Sequence, residues 1–202
     1  MQTSPIVPDA IKGKQTDLDH SITADTREEA VLAFERARRR LRTPSAWHAL
    51  AGMLSGQFAL TDHDGTVIKR PAQLHDHLRV TIPGPGTAAG HGHDWVTIVG
   101  MTDEPCHECE QERFGYTVRP CADPRDKGKD VAHFFDSSAT SSFIVERDGN
   151  KVTASYYGRN EQPNTDTKTT GDNIRNAIVA TGAMAGLSEA QWNALMKGLL
   201  ED

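Results

Sequence analysis

Cysteine is scarce in this chain: three residues in 202, an odd count at low density. That excludes a small secreted scaffold stapled by disulfides and fits a reducing, cytoplasmic setting. Long apolar runs are also missing. The longest weakly polar stretch, Ala177 to Leu187, is too short and too glycine-rich to span a bilayer. The first twenty residues lack a basic segment followed by an apolar one, so no secretory signal is expected. Basic excess is absent too. A net charge of −6 gains nothing from counterion release and argues against nucleic acid as the partner.

What remains is 37% hydrophobic and 25% charged residues, the profile of one globular unit. A domain of this length buries roughly 70% of its unfolded surface. Residues 1–24 carry Pro5, Pro8 and scattered polar residues without a period, and are expected to form a flexible arm before a single domain at 25–202. Thr26 and Glu29 have the spacing of a capping box. Val31, Phe34, Ala37 and Leu41 then recur on one helical face, and Pro44 stops the helix. The run of arginines over 36–42 complements the negative helix end.

From Gly56 to Pro120 the period changes to two. Phe58 and Leu60, then Leu78, Val80 and Ile82, alternate with polar neighbours. Asp64-Gly65 predicts a turn into a strand at Thr66–Lys69. Val96 and Ile98 sit in a strand expected to be buried on both faces, and Tyr116 and Val118 in another. Residues 121–141 read as a long polar loop. Ser142–Arg147 and Lys151–Tyr157 flank Asp148-Gly149 as a second hairpin. A helix is expected around Ile174–Thr181, ending at Gly182 or Gly186, and another from Ser188 with Trp192, Leu195, Met196 and Leu199 on its buried stripe. The implied fold is α+β: a central, mainly antiparallel curled sheet or partial barrel, with one N-terminal and two C-terminal helices packed on it.

Three places can carry chemistry. Cys106 and Cys109 are separated by two residues, so a tight turn can bring both thiolates to one zinc ion. Cys121 is a candidate third ligand, and His91, His93, His107 or His133 a fourth. A redox pair is the other functional reading, but it normally wants a helix after the first cysteine, and here the motif joins two strands. The plain reading is a polar hairpin tip. The second place is the glycine-rich segment from Pro83 to Asp94. It feeds a strand instead of a helix N-terminus and lacks a Gly-Lys-Ser/Thr, which removes a phosphate loop. The third is Arg159, Asn160, Glu161 and Asn164 with His133. These bring a guanidinium, amides, a carboxylate and an imidazole to a strand end, suited to a small polar ligand or a protein partner. Their internal alternative is ion pairing and backbone capping.

The stretches IPGPGTAAGHGHDWV, AHFFDSSATSSFIVERDG, YYGRNEQPNT and IRNAIVATGAMAGLSEAQW resemble a family of bacterial proteins of unknown function, chiefly from Bacteroidetes-like genomes. The resemblance spans residues 40–200 and implies a shared fold and a cytoplasmic setting. It brings no activity or catalytic residue. The expectation is therefore a binding module without catalysis. The rival is a metal-dependent hydrolase built on the histidines and cysteines, and a third reading is a structural zinc clip over 106–121.

Overall fold

The computed structural model describes residues 6–52, 56–82, 87–104, 106, 109–126, 128, 130–165 and 183–201, without the side chains of 183–188. Seven strands form one antiparallel sheet: β1 (Lys14–Thr23), β2 (Gln57–Thr61), β3 (His77–Thr81), β4 (Asp94–Glu104), β5 (Gln111–Pro120), β6 (Thr140–Asp148) and β7 (Lys151–Glu161). Their order is β1-β7-β6-β5-β4-β3-β2. Among the described residues the helices are α1 (Arg27–Leu41), α2 (Trp47–Ala51, after a short 3-10 turn at Pro44–Ala46) and α3 (Ala183–Leu200). This is the curled antiparallel sheet with helices packed on it that the periodicities imply.

Strand alternation gives the sheet one face for the helices. Phe58, Leu78, Val96, Tyr116, Phe143 and Tyr156 lie on it. In β4 the register slips between Ile98 and Gly100. The extra residue lets Ile98 and Met101 pair with Val118 and Tyr116 on the same face, while Val99 turns outward. Helix α1 has the expected capping box between Thr26 and Glu29. Its buried face, Ala30, Ala33, Phe34, Ala37 and Leu41, is mostly small, which suits close approach to the sheet. Tyr116 donates its buried hydroxyl to Leu41 O at 3.1 Å, tying the end of α1 to β5.

Two arginines of α1 reach the C-terminal helix, while Arg38 pairs with Asp103 of β4 and Arg39 is exposed. Arg36 donates to Leu200 O, and Arg40 to the carbonyls of Gly198, Leu199 and Glu201. These acceptors are carbonyls from the last turn of α3, which otherwise lack intrahelical partners. Gly198 matters for another reason. A Cβ there would stand 2.5 Å from Leu50 O, so glycine lets α3 lie against α2.

Several sequence expectations need correction. Lys14–Thr23 is not part of an arm: it pairs with β7 along nearly its whole length. Its alternation, with Leu18 and Ile22 against the core, is hidden among charged residues. Thr66–Lys69 does not form a strand. Only a bridge from Val67 to Thr61 is present, and β2 pairs with β3 instead. In the β6–β7 hairpin Asp148 pairs with Lys151, so Gly149-Asn150 forms the turn, with Gly149 at φ +57°. Finally, α3 runs unbroken from Ala183 through Gly186 and Ser188. Tertiary packing outweighs the ~1 kcal/mol that a helical glycine costs. The helix expected at Ile174–Thr181 lies outside the described residues.

Candidate functional site

The end of β7 decides where its polar residues point. Tyr156 lies on the helix-covered face, and strict alternation would put Glu161 on the opposite one. At Asn160 the backbone enters the left-handed region, φ +57°, and the alternation breaks. The Glu161 carboxylate thereby comes to accept a hydrogen bond from Tyr156 Oη at 3.2 Å. Thr16 Oγ1 donates to its other oxygen at 3.4 Å, and Ser141 Oγ shares a 3.2 Å bond with Tyr156 Oη. Gly158 leaves the necessary space, since a Cβ there would come 2.5 Å from Glu161 Oε1. Lys14 of β1 forms an ion pair with Glu189 of α3.

Beside this cluster stands a wall of rings. Trp192 of α3 stacks on Tyr156 with centroids 5.1 Å apart and planes 19° from parallel. Phe143 lies 5.1 Å from Trp192 and 4.9 Å from Trp47, and Phe58 lies 5.9 Å from Trp192. Burial raises the Glu161 carboxyl above the usual glutamate range, against the lowering effect of Tyr156, Lys14 and Thr16. Burial likewise raises the Tyr156 phenol, reinforced by the charge of Glu161. The carboxyl accepts hydrogen bonds, and the phenol and the Ser141 hydroxyl can both donate and accept them. They stand beside an aromatic cluster in which Tyr156, Phe143 and Trp47 are buried and Trp192 and Phe58 are partly exposed.

The other residues singled out at this strand end serve the backbone. Arg159 donates to Thr16 O and Gly158 O, pairs with Asp17, and lies over the Tyr157 ring at 5.3 Å. Asn160 Oδ1 accepts from the amides of Ile11 and Lys12 at 2.8 and 3.1 Å, and its Nδ2 donates to Asp9 O. Asn164 Nδ2 donates to Val131 O and His133 O, both at 3.0 Å. His133 is buried, accepts from Phe135 N at Nδ1, and stacks on Phe134. The five residues therefore do not converge: Glu161 joins the aromatic face, while the others fasten neighbouring segments.

The cysteines and histidines do not gather either. Cys106 and Cys109 form a disulfide at the tip between β4 and β5. Cys121 follows the far end of β5, where its amide bonds Trp95 O. The ten residues of β5 separate the two places, roughly 30 Å at the usual strand rise. Burial, with Asp123 adding to it, pushes the Cys121 thiol up to about 12. His91 Nδ1 lies 3.1 Å from Asp123 Oδ2, and His93 Nδ1 lies 3.0 Å from Thr81 Oγ1. Among the described residues, no group of three His, Cys, Asp or Glu side chains is arranged to hold a metal ion. His107 and residues 83–86 lie outside those described.

Sequence reasoning missed Tyr156, Ser141, Thr16 and Trp192 as site residues. Tyr156 and Trp192 were visible as apolar positions of a strand and a helix, but nothing local joined them. Their partnership depends on α3 crossing β7.

No family model matches the chain, and no curated protein does. Among solved structures, it is similar to protein Ms6760 from Mycobacterium smegmatis, with TM-score 0.43, 12% identity and 95% of each chain covered. It is also similar to the Zhui aromatase/cyclase from Streptomyces sp. R1128, with TM-score 0.38, 11% identity, and 92% of this chain and 94% of that one covered. A third is a norcoclaurine synthase mutant from Thalictrum flavum in complex with a transition-state analogue, with TM-score 0.38, 12% identity, and 94% and 97% covered. At such scores these likenesses carry no argument about function.

Proposed function

We propose that the chain is a binding module, without catalysis of its own, for a small molecule with a flat apolar body and a hydrogen-bonding head. The observation that carries this reading is the position of Glu161. A carboxyl with a raised pKa, bonded to Tyr156 Oη, stands at the margin of the ring wall formed with Trp192 and Phe143. Stacking against Trp192 and Phe58, the partly exposed rings of the group, suits a planar body, and Glu161, Tyr156 and Ser141 suit a hydroxyl or amide head.

Tryptophan fluorescence reads the proposal directly, because Trp192 and Trp47 belong to the wall. Titration with planar aromatic compounds, matched in pairs with and without a hydroxyl or amide head, is expected to quench the emission saturably. The head-bearing member of each pair should bind more tightly. Glu161→Gln should narrow that difference while leaving the circular dichroism spectrum unchanged. If no compound quenches saturably or raises the melting temperature, the binding reading is wrong.

A further inference from the structure

The β4–β5 tip carries a feature that ligand binding does not use. Cys106 and Cys109 are joined there, and the scaffold holds the backbone of both independently of the bond between them. Arg147, fully buried, donates to Cys109 O at 2.6 Å, and Arg27 donates to the same oxygen at 2.9 Å. Glu112, also fully buried, accepts from Cys106 N at 3.1 Å, and Cys109 N itself bonds Cys106 O at 3.0 Å. The Arg147–Glu112 pair links the two anchors at 2.6 Å. Opening the disulfide would leave all these contacts in place, so the two sulfurs would stay near each other.

The cross-link itself does little for the fold. It closes a loop with two residues between the cysteines, inside a hairpin whose strands are already paired from Glu104–Arg113 onward. Chain-entropy stabilisation by a disulfide grows with the loop it closes and is smallest for loops this short. The two cysteines also differ in access. Cys109 is exposed and Cys106 is half-buried. Arg27, which holds Cys109 O, also lines a surface hollow of about 380 Å³ with Glu28, Val31 and Leu32.

We propose that Cys106 and Cys109 are a reversible dithiol–disulfide pair that exchanges with low-molecular-weight disulfides, with Cys109 as the entry sulfur. In the oxidising direction the Cys109 thiolate attacks a disulfide RSSR, forming a mixed disulfide and releasing one RS⁻. The Cys106 thiolate then attacks the Cys109 sulfur and expels the second RS⁻. The two protons of the dithiol end on two RSH. The protein pair is oxidised by two electrons, and RSSR is reduced by the same two.

The test uses the whole chain equilibrated in buffers of reduced and oxidised glutathione at graded ratios, then trapped by alkylation and read by mass spectrometry. Cys106 and Cys109 are expected to pass together between labelled and protected states, while Cys121 stays unlabelled in the native chain. The reduced chain should keep its circular dichroism spectrum and its cooperative melting. Cys106→Ser should accumulate a glutathione adduct on Cys109, and Cys109→Ser several-fold less on Cys106. The proposal is overturned if the pair opens only when the chain unfolds, if it stays reduced in oxidised glutathione, or if Cys106→Ser forms no adduct.

Discussion

Arg147 and Glu112 face each other across β6 and β5, both sealed from solvent, with Arg147 Nε 2.6 Å from the carboxylate. The guanidinium also donates to Glu110 O at 3.2 Å, Gly149 O at 2.9 Å and Cys109 O at 2.6 Å. One side chain thus fastens the turn of the β6–β7 hairpin to the tip of the β4–β5 hairpin. Two charges at this depth are tolerable because their hydrogen-bonding capacity is filled by each other and by backbone.

Removing one partner would strand the other charge. Arg147→Met or Glu112→Gln is expected to cost about 3–5 kcal/mol in urea denaturation. The double variant Arg147→Met/Glu112→Gln should cost clearly less than the sum of the two single costs, because no unpaired charge remains. Additive losses would show that the two side chains act separately.

Asn160 makes a second prediction. It occupies a left-handed backbone position and bonds the backbone of residues 9, 11 and 12. Asn160→Ala loses those bonds and places a Cβ-bearing residue with no compensating side chain at positive φ. A loss of about 1–3 kcal/mol is expected, together with faster proteolysis before Lys14. Asn160→Gly should recover the backbone part of the loss but leave the proteolysis fast. An unchanged melting temperature would overturn this structural role and favour the ligand-facing one that the sequence suggests for Asn160.

Acid titration separates two carboxyls by sign. Glu161 has a raised pKa in the folded chain, so its contribution is complete below the unfolded value of ~4.3 and is lost as pH rises through the folded value. Glu161→Gln should therefore lessen the fall in stability from mildly acidic to neutral pH. Asp123 behaves oppositely. Burial alone would raise it, but the bonds from Arg125, helped by His91, bring it down to about 2. Its contribution is present above the unfolded value of ~3.9 and is lost as pH falls toward the folded one. Asp123→Asn should cost on the order of 2 kcal/mol at neutral pH, and the cost should shrink as the medium approaches the folded pKa. Denaturant midpoints across the pH range measure both.

What the sequence made legible was local. The Thr26–Glu29 box and the alternation at Leu78–Val80 depend on neighbours a few residues away, and both stand in the structure. Strand β1 was hidden because its partner β7 lies far along the chain and its exposed face is charged. The group at 159–164 shows the limit most clearly. Read as a string, Arg159, Asn160 and Glu161 look like one polar site. A single positive φ at Asn160 sends Glu161 toward Tyr156 while Arg159 reaches Asp17. The cysteines fail for the reverse reason: Cys109 and Cys121 are close in sequence, but an extended strand keeps them apart.

The pairing of β1 with β7 has a bearing on how the chain is made. Thr23 lies opposite Lys151, so β1 must wait for β7, the last strand of the described sheet, before its hydrogen bonds can close. Until then it offers a bare edge to other nascent chains. The Lys14, Asp17 and Asp19 side chains along it supply charge that discourages such pairing. Closure across this span makes acquisition of the native state a late event, slow relative to helical proteins of similar size.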